Sequence, residues 1–145
     1  MRDLPNVTAD GVRCYRVSDI MSRDPYTLSP DDDLTTAENM MRIAHVRHML
    51  VTNAERALVG IVSLVDLMRA AETQHRAGDS PPVGEIMSTT LTLVAPNTMA
   101  VDAARRMLHS KLGCLPVVDG DGRLVGVLTE TDFLRLTARW LAGRC

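Results

Sequence analysis

Apolar and polar positions along this chain run through the same order twice. Leu34, Ala37 and Met41 recur at steps of three and four residues, and Ala100, Ala103 and Met107 do so later. Such steps put each set on one face of a helix. After each helix comes a short apolar run, "HMLVTN" from His48 and "CLPVVD" from Cys114, which reads as a strand. The loops "NAERA" and "DGDGR" have turn chemistry, and "LVGIVS" and "LVGVLT" then read as second strands that pair back as hairpins. Closing helices are predicted from Leu64 and from Glu130. Ahead of all this, "DIMS" and "EIMS" read as short helical turns. "YTLS" and "LTLVA" read as short extended segments that end at Pro30 and Pro96.

The repetition is gapless. Gly60 falls on Gly126, a shift of 66 residues, and the same shift lays "VSDIMS" from Val17 on "VGEIMS" from Val83. Pro30 falls on Pro96, Val51 on Val117 and Asp66 on Asp132. So many punctuating positions in one register indicate duplication. The chain therefore divides into an N-terminal extension (1–16), repeat 1 (17–76), a linker (77–82) and repeat 2 (83–142). The linker "AGDSPP" ends in paired prolines, which stop a helix and suit an extended connection. Each repeat predicts an α/β unit of order β-α-β-β-α with a short leading helix. A unit that small gains from a partner. The expected fold packs the two copies with pseudo-twofold symmetry, leaving clefts between them.

Composition narrows the class. Apolar residues make up 46% of 145, enough for a packed core, but aromatics make up only 3%, so aliphatic residues and nine Met must fill it. A formal charge of −2 offers no broad basic field, which argues against nucleic acid as a partner. No apolar run approaches the roughly 18 residues of a membrane span, and the N-terminus lacks the apolar stretch of a signal peptide. The cytoplasm is the expected location. Cys14, Cys114 and Cys145 are scattered, with no CxxC pair, so neither a disulfide framework nor a zinc site is indicated.

The chemistry sits in a phrase written twice: "GIVSLVDL" from Gly60 and "GVLTETDF" from Gly126. Ser63-x-x-Asp66 and Thr129-x-x-Asp132 have the spacing of a helix N-cap, in which the hydroxyl accepts from the backbone three residues on. That plain reading is compatible with a second. A capped helix N-terminus presents NH groups to an anion, and an ionised Asp can accept two sugar hydroxyls at once. The copies differ nearby. "HVRHML" brings His45, Arg47 and His48 to the first, while "KLGCLP" brings only Lys111 to the second. Arg offers a planar fork for phosphate oxygens and His adds a pH-sensitive donor, although surface charges at a strand start are commonly just solvated. A mixed cleft or a single occupied site is expected rather than two equivalent ones. No P-loop, nucleophile–base pair or metal-ligand cluster can be named, so catalysis is not expected.

With "DIM" before the first strand, "LPVVD" in the second copy and Gly–h–h–Ser/Thr–x–x–Asp (h apolar) in both, the chain resembles a tandem pair of CBS domains, the regulatory modules named after cystathionine β-synthase. The resemblance runs from Val17 to about Leu141, the extent of a stand-alone Bateman module. It implies binding of an adenosine-containing ligand such as AMP, ADP, ATP or S-adenosylmethionine, with the motif Asp on the ribose hydroxyls, and association as a homodimer. On that basis the candidate ligand-binding residues are Thr27, Arg47, His48, Ser63, Asp66, Thr92, Thr129 and Asp132. The implied function is regulatory nucleotide sensing for an unidentified protein target. The alternative is a ligand-free dimerisation scaffold using apolar residues of the closing helices, expected to be exposed: Leu67, Met68, Phe133, Leu136 and Trp140.

Overall fold

The computed structural model describes residues 14–77 and 80–143. The expectations for residues 1–13, for Gly78 and Asp79 of the linker, and for Cys145 lie outside them. Twelve elements follow one another among the described residues: α1 (Val17–Ile20), β1 (Ser22–Arg23), β2 (Thr27–Leu28), α2 (Leu34–Ala44), β3 (His48–Thr52), β4 (Leu58–Ser63), α3 (Leu64–Ala77), α4 (Val83–Ile86), α5 (Ala100–Ser110), β5 (Cys114–Val118), β6 (Leu124–Thr129) and α6 (Glu130–Ala142). The mixed α/β architecture is that of two β-α-β-β-α repeats, as the periodicity implied. The predicted helix faces are the buried ones: Leu34, Ala37 and Met41 in α2, and Ala100, Ala103 and Met107 in α5.

Two compact units form, and their boundaries cut across the repeats. One unit comprises residues 26–91 with 122–124; the other comprises the segment up to Pro25, residues 92–121 and residues 125 onward. The leading turn of each repeat is thus packed in the unit built mainly from the other copy. In the first-copy unit, Val83 of α4 is fully buried among Leu28, Ala37, Val51 and Val62. In the second-copy unit, Val17 and Ile20 of α1 are buried among Val94, Ala103, Val117 and Leu128. Burying one such side chain stabilises by about 1.5–3 kcal/mol, enough to fix these four-residue helices that would not persist alone. Backbone hydrogen bonds add to this: Val17 N donates to Thr98 O at 2.8 Å, and Gly84 N to Pro30 O at 2.8 Å.

The first-copy unit holds a sheet of order β2-β3-β4, parallel between β2 and β3 and antiparallel between β3 and β4. The second-copy unit holds the order β1-β6-β5. Two details differ from the sequence expectation. "LTLVA" makes only an isolated parallel bridge, Val94 to Val117, because Thr92 and Leu93 are exposed and only Val94 is buried against the sheet. "DIMS" is not wholly helical: its Ser22 pairs with Val127 as an edge strand.

The repeated glycine explains itself here. A Cβ on Gly60 would collide with the Met87 side chain. One on Gly126 would lie 2.7 Å from Met21 Sδ and 2.9 Å from Ser22 O. The leading segment of each unit crosses the strand at its glycine, where an added Cβ would force a neighbour to move. The hairpin tips match as well, with Arg56 at φ 63° and Gly122 at φ 78°. Asn53 Oδ1 accepts from Glu55 N and Ala57 N, holding the first tip without a glycine.

Candidate functional site

In the first-copy unit the antiparallel register sets His48 opposite Ser63. The hairpin end is closed by Leu64 N donating to Arg47 O at 2.8 Å. Arg47, His48, Ser63 and Asp66 therefore gather at one end of the sheet, where β3 begins, β4 ends and α3 starts. Both Arg47 and His48 are exposed. Ser63 Oγ accepts from Asp66 N at 3.0 Å, and Asp66 Oδ2 accepts from Ser63 N at 2.9 Å. This is a reciprocal capping box with Asp in the acidic role. Among the described residues no hydrogen bond or ion pair reaches Asp66 Oδ1, and the side chain is half-buried.

Thr27 lies on the neighbouring strand, opposite Leu50. Its hydroxyl accepts from Thr52 Oγ1 at 3.2 Å, so it is engaged in a cross-strand pair with a residue four along β3 from His48.

The second-copy unit repeats the box and surrounds it differently. Asp132 Oδ2 accepts from Thr129 N at 2.8 Å and from Thr129 Oγ1 at 3.1 Å, while Asp132 N reaches Thr129 Oγ1 at 3.4 Å. Asp132 is 5% exposed, the single buried charged residue among those described. Its Oδ1 accepts from Ser22 Oγ at 2.9 Å, and the Arg135 guanidinium stands 3.7 Å away. The places of Arg47 and His48 are taken by Gly113 and Cys114. Burial pushes the Cys114 thiol above its ordinary range, so that position offers neither cation nor thiolate. Thr92 is exposed, outside the strands, and one residue off the counterpart of Thr27, which is Leu93. The two threonines are not equivalent positions. A depression of about 560 Å³ walled by Leu93, Val94, Pro96 and Val118 lies at the far end of β5 from Thr129, away from the box.

Ser22 and Arg135 were not singled out in the sequence. Their signals were present but faint. Ser22 ends the duplicated "IMS", and Arg135 sits three residues after the motif Asp, where Arg69 sits in the first copy.

The twofold strand–helix pattern, with its two boxes, matches a known family model. The CBS domain model matches residues 17–73 and again 83–139. The chain belongs to the CBS domain family, as a tandem pair.

Among solved structures it resembles a protein of Vibrio cholerae named for acetoin utilization (AcuB), at 37% identity and a TM-score of 0.81, over 88% of this chain and 93% of that one. It also resembles CBSX2, from Arabidopsis thaliana, crystallised with AMP, at 29% identity and a TM-score of 0.78, over 86% of this chain and 97% of that one. The choline transport ATP-binding protein OpuBA of Bacillus subtilis is 30% identical over 88% of this chain and 32% of its own length. The chain spans between about a fifth and a third of the length of the curated relatives it matches. Among the described residues, no helix is long and apolar enough to cross a membrane.

Proposed function

We propose that this CBS pair is a regulatory module that senses an adenine nucleotide, and that the first-copy box is its principal ligand contact. The observation that carries the reading is Asp66, whose Oδ1 is unclaimed among the described residues, at the end of the sheet that also holds two exposed donors, Arg47 and His48. A ribose diol needs two acceptor positions close together, and a carboxylate with one free oxygen supplies them. Arg47 and His48 then face the phosphate, and the N-terminus of α3 adds a favourable dipole. The likeness to CBSX2, crystallised with AMP, supports adenosine chemistry for the ligand. AMP is the first ligand to test on this reading. ADP, ATP and S-adenosylmethionine are the competitors to test beside it.

The module has no chemistry of its own in this reading, and steady phosphate release from ATP that scales with purified protein would refute that. It acts in the cytoplasm, as a homodimer, on a protein target, by preferring one conformation when ligand is bound. Exposed apolar residues on the closing helices, Met68 at 62% and Trp140 at 56%, favour dimerisation. They equally suit the second reading, a scaffold whose boxes hold nothing. A thermal-shift series with AMP, ADP, ATP, S-adenosylmethionine and NAD separates the two. A ligand at about 100 times its Kd adds roughly 2.7 kcal/mol of stability. A flat response to all five would leave only the scaffold.

A further inference from the structure

The two boxes are alike in sequence and unlike in how much carboxylate they leave open. A carboxylate offers about four lone-pair positions. Among the described residues Asp66 uses one, for Ser63 N. Asp132 uses three, for Thr129 N, Thr129 Oγ1 and Ser22 Oγ, and the fourth faces the Arg135 guanidinium at 3.7 Å.

The difference comes from the leading segment. Ser22 belongs to a two-residue strand on β6, with Ser22 opposite Val127 and Arg23 opposite Gly126. In that register, which Ser88 shares opposite Ile61 in the first-copy unit, the half-buried Ser22 hydroxyl reaches Asp132. Its counterpart Ser88 makes an isolated bridge to Ile61, with hydrogen bonds of 2.8 and 3.0 Å. Ser88 is exposed and, among the described residues, donates nothing to Asp66.

We infer that Ser22 sets the stoichiometry of the module: its hydroxyl takes one of the two Oδ1 positions that a ribose diol would need on Asp132, the other facing the Arg135 guanidinium, and so closes the second box while the first stays open. Asp132 then works as a latch that ties the leading strand to α6, and Ser22 is a specificity-determining residue that never touches ligand. A nucleoside could enter the second box only by displacing Ser22 from a buried carboxylate, which forfeits a charge-assisted hydrogen bond before any new one forms.

The inference rests on the proposed role of the motif carboxylates as ribose acceptors, and the test separates the two. Parent, Ser22→Ala, Ser22→Thr and Ser88→Ala are titrated with AMP and with adenosine by calorimetry, each checked for an unchanged fold by circular dichroism. The expected result is one ligand per chain for the parent, Ser22→Thr and Ser88→Ala, and two for Ser22→Ala, with the second event abolished by adding Asp132→Ala. If the parent binds none and Ser22→Ala binds one, the latch stands and the Asp66 reading falls. If the parent and Ser22→Ala both bind one with the same affinity, the latch falls and the Asp66 reading survives. Two ligands on the parent, or none on any variant, also overturns the latch.

Discussion

Gly60 and Gly126 hold the same place in the two copies but meet different neighbours. Gly60 is covered by the side chain of Met87, whereas Gly126 is covered by Met21 and by the carbonyl of Ser22. A side chain can swing aside, but a backbone carbonyl in a paired strand cannot without unpairing it. The same contrast runs through the boxes, since Asp132 is held by the leading strand and Asp66 is not. Duplication preserved the letters while packing surrounded them differently: the second box is tied to the leading strand, and among the described residues the first leaves Asp66 Oδ1 open.

That contrast is breakable. Gly126→Ala should destabilise by about 1–3 kcal/mol, since an added methyl in a filled space forces the backbone to move. Gly60→Ala should cost clearly less, because the Met87 thioether can repack. Equal losses in chemical denaturation would remove the distinction.

Asp132→Ala should cost about 1–3 kcal/mol, having lost a buried acceptor and left Ser22 without its partner. Asp66→Ala should cost about 0.5–1 kcal/mol, the worth of a partly exposed cap and its charge at a helix start. Melting curves without ligand compare the two, and the reverse order would contradict the latch.

The smallest expected effect is a gain. Lys111 ends α5 in the left-handed region at φ 53°, a conformation that favours glycine. Lys111→Gly should stabilise by roughly 0.5–1 kcal/mol. A loss would mean that the Lys111 side chain contributes more than its backbone costs.

Much of this was legible in the residues. The faces Leu34–Ala37–Met41 and Ala100–Ala103–Met107 follow from helical spacing, and the boxes follow from Ser/Thr-x-x-Asp, because both signals are local. The closing helices were harder. Leu67, expected to be exposed, is 4% exposed in the first-copy core, and Phe133 and Leu136 are half-buried against the second-copy core. Met68 and Trp140 are exposed as expected. Neighbouring apolar residues on a helix look alike in sequence until the packed face is known.

The bond from Ser22 to Asp132 joins residues 110 apart and depends on the leading strand crossing at Gly126. No local pattern encodes it. Nor does a self-contained repeat reveal that Val17 and Val83 are each buried in the unit built mainly from the other copy.

The central claim is that Asp66 is the open carboxylate of a nucleotide site. Calorimetric titration of AMP into Asp66→Ala tests it most directly, with parent and Asp132→Ala as companions. Losing a charge-assisted hydrogen bond of about 1.5–3 kcal/mol should weaken AMP binding by roughly 10- to 150-fold in Asp66→Ala, with little change in Asp132→Ala. If Asp66→Ala binds AMP as tightly as the parent while melting at a lower temperature, the box is a helix cap alone and the account is wrong.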